Sequence, residues 1–205
     1  MEEVDELFWQ VRTAHRLLVA YYQRLHPIID DLATFADTVF DFWTPQLFDK
    51  PARANPFTKW QWDLLPAAVT RYVFKQVKES SKVTKGDFTL EFLVVNDTGI
   101  VKEKGKGELD ALALPLNVEH AESIIKVGIY RAAENSDKDY FSQWNSVNYP
   151  DYQDDDSFKR DKLFLTTGFE FPISLLLTED GVQAVKEKID KYLKITQQAI
   201  SSSQS

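Results

Sequence analysis

Cysteine is absent from this 205-residue chain. Its absence removes a disulfide framework, thiol catalysis and thiolate metal sites together. Histidine is scarce, and His15, His26 and His120 are too scattered for a metal motif. Seven glycines are too few for an elaborate phosphate cradle. No Gly-rich phosphate loop, His-Glu-x-x-His pair or Gly-x-Ser-x-Gly elbow occurs. Neither is there an apolar run of the length a membrane-spanning helix needs, so no membrane partner is expected. The acidic, amphipathic beginning is opposite in character to a signal or transit peptide, which points to a cytoplasmic protein. A net charge of −8 works against direct nucleic-acid binding, which needs phosphate-neutralising surface.

Apolar and aromatic residues are plentiful. At 43% hydrophobic and 13% aromatic, the chain can fill a sizeable core in a single domain. Its beginning carries a heptad register up to residue 43. Val4, Val11, Leu18, Leu25, Leu32 and Val39 hold position a. Leu7, Ala14, Tyr21, Ile28, Phe35 and Phe42 hold position d. Phe8, His15, Tyr22, Ile29, Ala36 and Trp43 widen the stripe at position e. So wide a face suits a helix buried on a globular body better than a slim two-stranded coil. Pro27 lies inside it, yet the phase passes the proline without a slip. One long, bent helix is therefore expected over residues 4–43, curving around its own domain. What remains for a partner would be the aromatic end, at Phe42 and Trp43.

A connection rich in proline and aromatics follows at 44–66. The spacing of Trp62, Leu65, Val69, Tyr72, Val73 and Gln76 predicts a second helix over 60–78. The period then changes to two. Phe88, Leu90, Phe92 and Val94 alternate along a strand that ends at Asn96-Asp97-Thr98-Gly99. Further strands are expected at 109–116, 124–133, 163–171 and 173–177. The charged, glycine-bearing stretch 102–107 reads as a loop and the polar stretch 134–162 as a long surface insertion. Thr178 should cap a final helix with Val182, Val185, Ile189, Tyr192 and Leu193 on one face. The expected fold is α+β. A helical layer (1–80) lies on a four- or five-stranded, mostly antiparallel sheet (86–177), followed by a C-terminal helix (178–200) and a disordered tail (201–205).

Two stretches invite a chemical reading. The acidic run 151–162 has the density of a calcium loop. It lacks glycine at the sixth place and ends in Lys162 where a bidentate glutamate is needed, so it reads as a solvated loop. The stretch Gly107-Glu108-Leu109-Asp110-Ala111-Leu112 resembles the first half of the PD-(D/E)xK nuclease motif. That resemblance implies a divalent metal held by Asp110, with Lys126 on the next strand helping to activate water. Ile124 stands where the motif has its glutamate, two residues before Lys126, which implies a degenerate relative as readily as an active nuclease.

The dense aromatic belt supports a different function. Aromatic residues are enriched at interface hot spots. The sequence therefore points first to a non-enzymatic protein-interaction module with no cofactor. Trp43, Phe57, Trp60 and Trp62 are its candidate binding residues, and its partner is another protein or a second copy. The metal-dependent nuclease is the alternative.

Overall fold

A computed structural model describes residues 2–51, 53, 55–101 and 107–202. The heptad region forms one helix, α1 (Glu2–Phe35), which continues through Pro27. Leu25 before the proline and Ile29 and Leu32 after it are buried together, so the register survives as expected. The helix stops well short of Trp43. Asp37 takes the left-handed conformation, with φ at 55°. The Asp37 N–H donates to the Thr34 carbonyl (3.0 Å) and the Thr38 N–H to the Ala33 carbonyl (3.2 Å). The Thr38 hydroxyl donates to the same Ala33 oxygen at 2.7 Å. This is a Schellman ending with aspartate in the position glycine usually takes.

Six strands follow: β1 (Val39–Pro45), β2 (Val69–Gln76), β3 (Phe88–Val95), β4 (Ile124–Ala132), β5 (Lys159–Asp161) and β6 (Phe164–Pro172). They form one antiparallel sheet in the order β1-β2-β3-β4-β6-β5. The α+β class is as the sequence indicated, with more strands than expected. The second helix over 60–78 is not formed. Short 3-10 turns occupy Gln61–Leu64 and Pro66–Ala68, and β2 takes the rest. Val69, Thr70, Tyr72, Val73 and Phe74 are β-branched or aromatic and prefer a pleated, half-buried surface. The sheet therefore includes part of the assigned helical layer. The stretch 109–116 is a turn and coil, and Ile173–Leu177 is a 3-10 helix. The residues 102–106 expected as a loop lie outside the described residues.

α1 and the C-terminal helix α3 (Glu179–Ser202) cover one sheet face. Leu25, Ile29, Leu32 and Ala33 of α1 and Val185, Ile189 and Tyr192 of α3 meet Leu90, Phe92, Val127, Ile129 and Phe169 there. Thr178 caps α3 as predicted, its hydroxyl accepting from the Gly181 N–H at 3.1 Å. Of the expected tail, Ser201 and Ser202 belong to α3 and 203–205 lie outside the described residues. Buried Arg131 of β4 fastens α3 to the sheet. It donates to the Thr196 hydroxyl (3.0 Å), the Gln197 side chain (3.0 Å) and the Gly86 carbonyl (2.8 Å). Burial pulls its pKa down to about 10.

The polar stretch 134–162 does more than cross the surface. It contributes the short helix α2 (Tyr140–Trp144), whose Tyr140 and Trp144 are buried on the second sheet face with Val73, Tyr130 and Phe164. Gly128 and Gly168 stand opposite one another on β4 and β6. A Cβ on Gly168 would lie 2.5 Å from the Val127 carbonyl oxygen and 3.0 Å from Tyr152, so the bare backbone is what admits the covering segment. The acidic run is tied down as well: Asp154 pairs with Lys188 and Asp156 with Lys191, both at 2.6 Å, against α3.

Candidate functional site

Position along α1 decides whether the stripe is covered. From Ala20 onward the helix becomes rooted, and Leu25, Ile29, Leu32, Ala33 and Ala36 are buried. Before it, residues 4–12 and 14–19 are exposed and Thr13 is half-buried. Leu7 is 56% exposed, Phe8 55% and Leu17 64%. Val4, Trp9, Val11, Leu18 and Val19 are uncovered too. Residues 2–19 extend about 27 Å at the α-helical rise. They form an arm whose apolar side chains are largely uncovered among the described residues. This reverses the expected arrangement, in which the stripe is mainly an inner face and its free surface lies at Phe42 and Trp43. Helix length was the sequence signal: residues 2–35 span about 51 Å, more than the width of a domain of this size. The excess emerges as an arm and does not wrap the body.

Where the arm leaves the body, the 3-10 turns meet α1. A cleft of about 540 Å³ opens there, lined by His15, Leu18, Val19, Tyr22, Leu64 and Leu65. A hydrogen-bond network forms its wall. The Tyr21 hydroxyl donates to Asn96 Oδ1 at 2.6 Å, and Asn96 Nδ2 donates to the Ala67 carbonyl at 2.7 Å and to the Tyr22 hydroxyl at 3.2 Å. Burial raises the pKa of Tyr21, Tyr22 and Tyr72, so all three stay neutral phenols near neutral pH. A second cleft of about 520 Å³ continues along α1 between His26, Pro27, Phe40, Trp43 and Tyr72. Lining positions 15, 18, 22 and 26 recur at helical spacing, so one stripe of α1 serves both clefts. His26 Nε2 lies 2.9 Å from the Tyr72 hydroxyl. The ring remains solvent-accessible, and the partial burial it receives holds its pKa below the usual value.

The four predicted aromatic residues are dispersed. Trp43 sits on β1, 40% exposed in the second cleft, with Lys50 Nζ 5.2 Å from its ring centroid. Trp62 borders the first cleft, stacks on Phe48 at 5.2 Å and donates from Nε1 to the Leu109 carbonyl. Trp60 lines a separate, more polar depression with Phe48, Asp49, Lys59 and Asp63. Phe57 is 92% exposed on its own short turn. Trp43 and Trp62 thus flank the stripe of α1 from different clefts. Sequence reasoning missed the arm residues Leu7, Phe8, Val11 and Leu18 as open surface.

The nuclease-like residues occupy other settings. Asp110 is exposed in a turn, where its Oδ1 accepts from the Leu112 N–H at 2.9 Å. Lys126 lies on β4 and pairs with Glu170 of β6 at 3.1 Å. The expected strand around Asp110 is missing because the segment folds into turns stabilised by that carboxylate. Among the described residues, no group of three or more His, Asp or Glu side chains is placed to hold a metal ion. No helix among them is long and apolar enough to cross a membrane.

One buried charged cluster lies on the opposite sheet face. Glu91 of β3 is fully buried and receives Arg71 of β2 through Nε (2.6 Å) and Nη2 (2.5 Å). Arg71 also lies 4.5 Å over the Trp144 ring. Burial pushes the Glu91 carboxyl up, while Arg71, Tyr152 and Tyr130 pull it down. Through Arg71 and Trp144 the cluster links α2 to the sheet and helps hold that cover in place.

Residues 1–198 match the model of a protein family described as PM0109, a span that takes in the arm and the body alike. No curated protein and no solved structure matches the chain.

Proposed function

The chain belongs to the PM0109 family, and we propose that it is a non-enzymatic protein-interaction module whose working surface is the α1 arm with the clefts at its root. One observation carries this reading. Large apolar side chains run along residues 4–19 of a helix that is firmly anchored elsewhere. Exposed apolar patches beyond a few hundred Å² mark interaction surfaces in soluble proteins. Val4, Leu7, Phe8, Val11 and Leu18 make a continuous apolar stripe on one rigid element, and Trp9 and Leu17 are exposed on its other side. Trp43 and Trp62 extend it toward the body, in keeping with the enrichment of tryptophan at interface hot spots. The partner is another protein or a second copy.

The test compares the full chain with a Leu7→Asp/Val11→Asp double variant, by light scattering and by affinity purification from its native source. The expected result is an assembly, with itself or with another protein, that forms with the unaltered chain and is lost in the variant while the body stays folded. A strictly monomeric chain whose recovered partners are indifferent to both substitutions would overturn the reading.

A further inference from the structure

We infer that the arm's occupant is a second copy of this chain, paired antiparallel so that the tip of each arm lies at the root of the other. The inference rests on the reading of the arm as an interaction surface and names what covers it.

The heptad register itself supports this arrangement. In an antiparallel helix pair, position a of one chain packs against position d of the other. Opposing Leu7 to the second copy's Leu18 also opposes Val11 to Ala14, which fills the exposed layers of the arm at once, and brings Val4 to the root beside half-buried Tyr21. The central Val11–Ala14 layers are small and allow close approach, with larger residues on either side. The same pairing brings the e-position Phe8 beside His15 of the second copy, at the mouth of the cleft formed by His15, Leu18, Val19, Tyr22, Leu64 and Leu65. The arm is thus given both a seam and a socket, and the interface is isologous, as a twofold dimer requires.

Charge selects the direction. Asp5 and Glu6 make the tip acidic, while Arg12, Arg16 and Arg24 make the remainder basic. An antiparallel pair sets each acidic tip along the stretch between Arg16 and Arg24 of the other copy. A parallel pair would stack two acidic tips and bring two chains, each of net charge −8, side by side. Antiparallel arms keep the two bodies at opposite ends.

A chain without cysteine allows a clean cross-linking test. Leu7→Cys and Leu18→Cys are prepared as separate single variants, then oxidised alone and mixed. The expected result is a disulfide-linked pair from the mixture and none from either variant alone. In the antiparallel register each residue is separated from its own counterpart by about 16 Å along the helix, beyond disulfide reach. Light scattering of the unaltered chain should give twice the chain mass. Val11→Asp should halve that mass, with the thermal unfolding of the dilute chain unchanged. Cross-linking of Leu7→Cys with itself would overturn the inference in favour of a parallel pair. A single-chain mass throughout a concentration series would overturn the dimer altogether. If that monomer still captures a different protein in an arm-dependent way, this inference fails and the proposed function stands; if it captures none, both fail.

Discussion

The two halves of α1 share one heptad register and meet opposite fates. Leu25, Ile29 and Leu32 are buried under the sheet and α3, whereas Val4, Leu7 and Val11 project into solvent. The same residue types at the same spacing therefore serve as core in one half and as uncovered surface in the other. Periodicity defines which face of a helix seeks cover. What provides the cover depends on where the sheet ends, which is a tertiary property.

Perturbing the body that roots α1 should have the largest effect. Arg71→Ala leaves Glu91 buried without its partner and is expected to cost about 4 kcal/mol, read as a lowered urea midpoint. Within α1 itself, Leu32→Ala should cost about 3 kcal/mol through the cavity it opens. The matched change in the arm, Leu18→Ala, should shift the unfolding of the dilute chain by less than about 0.5 kcal/mol. Equal losses from these two leucine variants at high dilution would erase the contrast between the halves.

The smallest effect should come from His26, at the junction between them. Its folded pKa lies below the unfolded value of 6.5 because partial burial disfavours the cation. The unfolded chain therefore binds the proton more readily, and stability rises with pH across that window. The contribution is fully present above 6.5 and is lost as pH falls through the lower folded value. Thermal scans between pH 5 and 8 should show a modest decline on the acid side that His26→Gln flattens. A decline of equal size in the variant would assign it to other groups.

Much of the body was legible in the sequence. Strict alternation identified β3, and Thr178 with its following apolar face identified α3. β2 was hidden because Trp62, Leu65, Val69, Tyr72 and Val73 fit helical spacing as well as strand composition, and β1 because Val39, Phe42 and Trp43 continue the heptad register of α1. The end of α1 was hidden because Asp37, not glycine, turns the chain. For the candidate site, the apolar stripe was plain from the residues. Its cover was not, since no local pattern at Leu7 or Val11 distinguishes them from Leu25 or Leu32.

Pro27 gives α1 a mechanical character. Without an N–H at that position, the carbonyl of Gln23 loses its donor in the helix ladder. The weak rung falls within the gripped segment, beside Leu25 and Ile29, and not along the free length. The arm is accordingly a stiff lever with its compliant point clamped at the fulcrum. Force applied at Val4 or Leu7 would reach the sheet as a torque on the packing around Leu25, with little of it dissipated by bending between.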